Sequence, residues 1–193
     1  CFSEAELAVR GVGNPNRDGP DLSRARKKYL RACDLSERTG CFEVAVMMVN
    51  GEGGEAAPEA ARSMFEALCT VYNEQPACQN WAVLMRDGLG GEVNRGKALR
   101  IFQSQCLDHD ILLSCGNAAQ MHTDAGTMDQ ALNFLLRGCK DGEGLARACH
   151  IAANYFHSGE GRDEPLPDLA REYYALACSM DVGQARSEEH TSE

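Results

Sequence analysis

The sequence predicts an all-α chain, a right-handed α/α superhelix built from about five helical hairpins, on three observations. The ten cysteines fall into two interleaved series of nearly constant period. Behind each cysteine of the first series stands a small residue, then in four cases of five a glycine. Ahead of each cysteine of the second series stands an apolar pair at helical spacing. A period in the thirties is the mark of a solenoid of helix pairs, because each unit buries its apolar face only against a neighbour.

The first series is Cys1, Cys41, Cys78, Cys115 and Cys149, with steps of 40, 37, 37 and 34 residues. Four residues after each stands an alanine, Ala5, Ala45, Ala82, Ala119 and Ala153. Ten residues after come Gly11, Gly51, Gly88, Ala125 and Gly159. A helix that lets a neighbour approach closely needs a small side chain in the middle of its face, and it stops where glycine closes its last turn. These segments form the first helix of each hairpin, helix A.

The second series is Cys33, Cys69, Cys106, Cys139 and Cys178. Each closes the pattern alanine, three residues, a ring or leucine, three residues, cysteine: Ala25/Tyr29/Cys33, Ala61/Phe65/Cys69, Ala98/Phe102/Cys106, Ala131/Leu135/Cys139 and Ala170/Tyr174/Cys178. Spacing of i, i+4, i+8 puts all three on one helical face, so these segments form helix B and the recurrent ring is read as core. Pro58 and Pro167 suit the first turn, where a missing backbone N–H costs nothing. Asp21, Glu59, Asp129 and Asp168 suit the positive end of the helix dipole. The repeats are expected near 1–40, 41–77, 78–114, 115–148 and 149–185. The glycine-rich stretches between A and B, such as GEGGEAAP at Gly51 to Pro58, are turns: none follows a strand or carries the Gly-Lys-Ser/Thr ending of a phosphate loop.

Both ends of the 193 residues suggest a piece of a longer protein. The chain begins at Cys1 without an initiator methionine, so any targeting peptide would lie upstream. Residues 186–193, RSEEHTSE, resemble the translation of a sequencing-adapter oligonucleotide. They are expected to be a foreign tail without packing. A formal charge of −10, from 29 acids against 19 bases, argues against a surface built to grip nucleic acid. No apolar run is long enough for a membrane span. The chain is expected to be a monomer.

No catalytic constellation is visible. A penicillin-type site needs Ser-x-x-Lys, and no serine here has that lysine. His109, His122, His150 and His157 form neither His-Glu-x-x-His nor another metal spacing. No Cys-x-x-Cys knuckle occurs, which argues against zinc and against dithiol redox chemistry. No cofactor or metal is expected, and the chain is read as not an enzyme.

The cysteines then point to disulfides, for which two schemes are geometrically open. One joins the short connections from each helix B to the next helix A: Cys33–Cys41, Cys69–Cys78, Cys106–Cys115 and Cys139–Cys149, leaving Cys1 and Cys178 over. The other joins the two ends of each hairpin, as in Cys1–Cys33 and Cys41–Cys69, and uses all ten.

The phrases ACDLSERTGCFEVAVMMVNGEGG at Ala32 to Gly54 and ALACSMDVGQA at Ala175 to Ala185, with the five-fold framework, resemble the Sel1-like repeat family, a relative of the tetratricopeptide fold, and in particular its cysteine-rich branch. The resemblance covers residues 1–185. The fourth repeat departs from the pattern, with Ala125 for the turn glycine and a shortened A–B loop, and Met48, Met85 and His122 replace a bulky residue late in helix A. The resemblance implies the short-connection disulfides, which are adopted here, and a role in protein–protein interaction. It also implies two alternatives: a β-lactam-binding protein or weak β-lactamase, and an assembly factor for the respiratory oxidase in the mitochondrial intermembrane space, where a similar protein has been associated with haem. The compartment is expected to be oxidising, periplasmic or secreted in a bacterium, intermembrane in a eukaryote.

Helix A residues outside the hairpin core are expected to line a concave surface. Counted from each first-series cysteine, positions two and nine residues on supply the candidate partner-binding residues Glu43, Asn50, Asn80, Asp87, Asn117, Asp124 and Ser158. Their amides, carboxylates and hydroxyl suit hydrogen bonds to a peptide backbone and to basic side chains. Met47, Leu84, Met121 and Tyr155, six residues on, form an apolar stripe read as core.

Overall fold

The computed structural model describes residues 1–12, 19–140, 144–159 and 164–190, without the side chains of 181–190. Among the described residues the architecture is ten α-helices and no strand. It consists of two compact units, Cys1–Ala98 and Leu99–Glu193.

The first unit holds α1 (Phe2–Val9), α2 (Leu22–Asp34), α3 (Arg38–Asn50), α4 (Pro58–Tyr72) and α5 (Gln75–Asp87), and α6 (Arg95–His109) begins at its end. Helices α1, α3 and α5 are the A helices of successive hairpins, α2 and α4 their B partners. The recurrent alanines are the close-packing points: Ala5, Ala45 and Ala82 on A and Ala25, Ala61 and Ala98 on B are each fully buried. Against them lie Tyr29, Phe65, Val44 and Trp81, all nearly inaccessible. Asp21 caps α2 by accepting the Arg24 N–H at 3.0 Å, and Pro58 opens α4. Asn94 accepts the Lys97 N–H at 3.0 Å at the start of α6.

The second unit continues with the rest of α6, then α7 (Leu112–Asp124), α8 (Met128–Gly138), α9 (Ala146–Ser158) and α10 (Pro167–His190). Its core contains Phe102, Cys106, Cys115, Leu135, Cys149 and Tyr155, together with the alanines of the same registers. One difference from expectation appears here. The fourth hairpin still turns through the left-handed region, but one residue late, at Gly126 with φ +72°, because Ala125 stays right-handed at φ −86°. Helix α10 runs past Ala185 to His190, so its backbone continues into the stretch set aside as foreign; residues 191–193 and all side chains beyond Met180 lie outside the described residues.

Four disulfides cross the B-to-A connections: Cys33–Cys41, Cys69–Cys78, Cys106–Cys115 and Cys139–Cys149. The turns bring the Cα atoms to 4.4–4.8 Å. Three of the connections pass through a non-glycine residue in the left-handed region, Ser36, Asn73 and Asp110, a conformation that polar residues with short side chains adopt most readily. Cys1 and Cys178 are free and exposed.

The glycine-rich loops do more than reverse the chain. In the first unit the loop after α3 packs on the start of α2, and the loop after α5 packs on the start of α4. Gly53 lies over the Leu22 carbonyl and Gly90 over the Pro58 carbonyl, each so close that a Cβ would overlap the oxygen. Arg26 of α2 donates to the Glu52 carbonyl at 3.3 Å, and Arg62 of α4 donates to the Glu92 carbonyl at 2.8 Å. One hairpin is thus held to the next by backbone-on-backbone contact with an arginine clasp over it.

Candidate functional site

The candidate partner-binding residues separate into two groups in the structure. Those nine residues beyond each first-series cysteine, at the ends of the A helices, are exposed and engaged locally. Asn50 donates to Glu52 at 3.1 Å. Asp87 takes both Arg86 nitrogens at 2.7 and 2.8 Å, which holds its carboxyl below the usual range. Asp124 accepts from Gln120 at 2.7 Å, and the Ser158 hydroxyl donates to the Tyr155 carbonyl at 3.3 Å. Each is answered by its own helix or turn, so it offers a partner less than its residue type suggests.

Those two residues beyond the cysteine, Glu43 on α3, Asn80 on α5 and Asn117 on α7, are half-buried. Asn117 donates back to the Leu113 carbonyl of its own helix at 3.1 Å. Glu43 and Asn80, both in the first unit, make no hydrogen bond to another described side chain. Burial first, then repulsion from Glu6 of α1, push the Glu43 carboxyl above its ordinary range. Glu43 and Glu6 in turn raise the neighbouring Tyr29 phenol, whose main cause of shift is burial. A half-buried carboxylate with an acidic neighbour and, among the described residues, no cation paired to it is held at a cost to the fold, and a cationic ligand group would relieve it.

The apolar stripe is core: Met47, Leu84 and Tyr155 are 4%, 3% and 2% exposed, and Met121 is half-buried. His109, His150 and His157 are exposed, and His150 meets Tyr174 edge-on at 5.6 Å.

Sequence reading gave no role to His122, which the structure buries in the second unit. Its ring stacks on Phe134 with centroids 5.5 Å apart. Nδ1 lies 3.0 Å from the Thr127 hydroxyl, and Nε2 lies 3.0 Å from the Gln103 amide nitrogen. Because Thr127 spends its proton on the His122 carbonyl, Nδ1 must donate to Thr127 and Nε2 must accept from Gln103. This ties the short A–B turn of the fourth hairpin to α7. The visible signal was the pair His122 and Thr127 flanking the turn that lacks its usual glycine.

Burial lowers the His122 pKa, so the unfolded chain takes a proton more readily than the folded one. The resulting stability is present above the ordinary histidine pKa and is lost as pH falls from there through the folded value. The expected result is a fall in Tm between pH 7 and pH 5 that is smaller in His122→Met, which carries the residue found at Met48 and Met85. A pH profile unchanged by that substitution contradicts the assignment.

Among the described residues no group of histidines, cysteines and acids is arranged to hold a metal ion, and no helix is long and apolar enough to cross a membrane. The Ser114 hydroxyl donates to Gln105 at 2.7 Å within the core, a satisfied structural pair rather than a nucleophile with a base.

No family model matches the chain. Among curated proteins it is similar to "Putative beta-lactamase HcpC" of two Helicobacter pylori strains, 38% identical over 45 residues, 23% of this chain and 16% of the relative. The matched part is thus about a sixth of the relative's length. Among solved structures it superposes on a Sel1 repeat protein from Oxalobacter formigenes with TM-score 0.75 and 17% identity, covering 92% of this chain and 71% of the other. A second is c5321, a protective antigen of uropathogenic Escherichia coli strains displaying an SLR fold, with TM-score 0.72, 14% identity and coverage of 92% and 37%. A third is MamA, with TM-score 0.60, 16% identity and coverage of 86% and 92%. At these identities the likeness is one of fold. With the helical hairpins and the cysteine framework, it establishes that the chain has the Sel1-like repeat fold in a cysteine-rich, disulfide-bonded form.

Proposed function

We propose that the chain is a non-catalytic protein-interaction scaffold, acting as a monomer, whose A-helix face takes a partner carrying basic and backbone hydrogen-bonding groups. The observation that carries this is the pair Glu43 and Asn80. They stand at the same register of successive A helices, half-buried and, among the described residues, without a side-chain hydrogen-bond partner. Within the first unit Asn50 and Asp87 form the polar margin of this reading, and Asn117, Asp124 and Ser158 stand at the same registers of the second unit. The Sel1-like fold supports it, since stacked helical hairpins present extended surfaces rather than enclosed sites.

Glu43→Gln tests it with opposite signs in two measurements. Removing a carboxylate whose pKa is raised is expected to raise Tm slightly at pH 7 and leave it unchanged at pH 4. The same substitution is expected to weaken capture of the partner from an extract of the source cell's oxidising compartment, as is Asn80→Ala. Partner retention unaffected by both would contradict the assignment of this face.

Four disulfides are the chemistry of an oxidising compartment. The bacterial periplasm, the secreted space and the mitochondrial intermembrane space, where the oxidase-assembly reading would apply, all meet that condition. The likeness to HcpC over 45 residues favours one further reading, β-lactam binding with weak hydrolysis. The absence of Ser-x-x-Lys speaks against an acylating site. The oxidised chain is expected to leave a chromogenic cephalosporin intact at the buffer rate, and turnover above it would establish the hydrolytic reading instead.

A further inference from the structure

The four disulfides share one register but differ in what an incoming thiol can reach. Cys106 and Cys115 are fully buried, and Cys139 and Cys149 are buried as well. In the second bridge a half-buried Cys69 is joined to a buried Cys78. In the first, Cys33–Cys41, both cysteines are half-buried. Thiol–disulfide exchange requires a thiolate to reach a bridge sulfur, so among bridges of one register access sets the order of opening.

A second observation separates opening the first bridge from unfolding the array. One residue before Cys41, Gly40 lets α3 approach α2 so closely that a Cβ there would stand 2.7 Å from the Ala32 Cβ and 3.1 Å from the Tyr29 carbonyl oxygen. The turn between the two helices carries its own hydrogen bonds, from the Ser36 N–H to the Cys33 carbonyl at 2.8 Å and from the Glu37 N–H to the Ala32 carbonyl at 3.0 Å. None of these contacts runs through sulfur, so α3 stays docked on α2 when the S–S bond opens. The third bridge is placed otherwise. Cys106 and Cys115 adjoin Gln105 and Ser114, which pair at 2.7 Å within the core of the second unit, and a thiol reaches their sulfurs only when that core opens.

We propose that Cys33–Cys41 is a thiol-exchange site, at which the chain accepts a low-molecular-weight monothiol as a mixed disulfide while the other three bridges hold the array. The incoming thiolate bonds to the sulfur of Cys33 or Cys41, the S–S bond breaks, and the other cysteine leaves as a thiolate that takes a proton from solvent. A second thiolate attacking the small thiol's sulfur releases the external disulfide and leaves two protein thiols. Two electrons have then passed from two small thiols to the bridge. The reverse sequence, driven by the external disulfide, restores it.

The test incubates the full oxidised chain, with Cys1 and Cys178 alkylated beforehand, in excess reduced glutathione. Samples are quenched at intervals with a second alkylating label, digested and read by mass spectrometry, while circular dichroism follows the helices. Glutathione or the second label is expected on Cys33 and Cys41 about ten-fold sooner than on any other bridged cysteine, with the helical signal retained. Equal rates at all four bridges, or faster opening of any other, would overturn the proposal. Loss of helical signal in step with labelling at Cys33 and Cys41 would do the same, because the bridge would then open by unfolding. A variant carrying Cys33→Ser and Cys41→Ser is the control: its three remaining bridges are expected to open at their parent rates. Their acceleration to the rate of the parent's first bridge would also contradict the assignment.

Discussion

Full reduction of the oxidised chain is expected to abolish its cooperative unfolding transition. Each bridge closes a short loop, with partners 8 to 10 residues apart in sequence. In the chain-entropy account a loop of that size contributes roughly 2.5 kcal/mol, so four contribute on the order of 10 kcal/mol. That is comparable with the whole stability of a typical domain. The contribution is expected to differ between the units. Cys106 and Cys115 are both fully buried, whereas Cys33 and Cys41 are half-buried. Replacing the buried pair by alanine therefore leaves a cavity as well as a longer free loop, and should cost about 1 kcal/mol more than replacing the other pair. Urea unfolding followed by circular dichroism reads both effects. A midpoint unchanged on reduction would show that hairpin packing alone holds the array.

Gly90→Ala is expected to destabilise the first unit strongly. Gly90 has φ +71°, and a Cβ there would overlap the Pro58 carbonyl, a backbone atom at the start of a helix that cannot rotate aside. The left-handed conformation costs a non-glycine residue about 1–2 kcal/mol, and overpacking against backbone adds about 1–3 kcal/mol. Gly53 over the Leu22 carbonyl is its counterpart. Gly126 is the control: its φ is +72°, but nothing lies within 4 Å of its Cβ position. Gly126→Ala should therefore cost only the conformational part, and equal losses at Gly90 and Gly126 would remove the loop-on-helix contact as a stabilising element.

The helices and their buried faces were legible because both rest on spacing. Alanine at i, a ring at i+4 and cysteine at i+8 place one face of helix B without any knowledge of its neighbours, and the same alanines prove fully buried. Contacts between hairpins were less legible. Gly53 and Gly90 stand two residues after turn glycines, and Arg26 and Arg62 directly follow the pattern alanines Ala25 and Ala61, so the recurrence was present in the sequence. What it could not show is that a carbonyl of the previous helix occupies the space a side chain would need. The surroundings of the candidate partner-binding residues were half legible for a similar reason. Counting registers finds Glu43, Asn80, Asp87 and Asn117 alike, but whether a polar side chain is spent on its own helix, as with Asp87 and Asn117, or left for a partner is decided by rotamers and neighbours. His122 escaped because its role depends on Gln103, Thr127 and Phe134 meeting in space.

Non-reducing proteolysis of the folded chain, with free thiols alkylated first and the linked peptides identified by mass spectrometry, tests most directly the claim that sulfur bridges join each helix B to the following helix A. The expected peptides link Cys33 to Cys41, Cys69 to Cys78, Cys106 to Cys115 and Cys139 to Cys149, with the alkyl label on Cys1 and Cys178. Links from Cys1 to Cys33 and from Cys41 to Cys69, or a label on all ten cysteines, would contradict it.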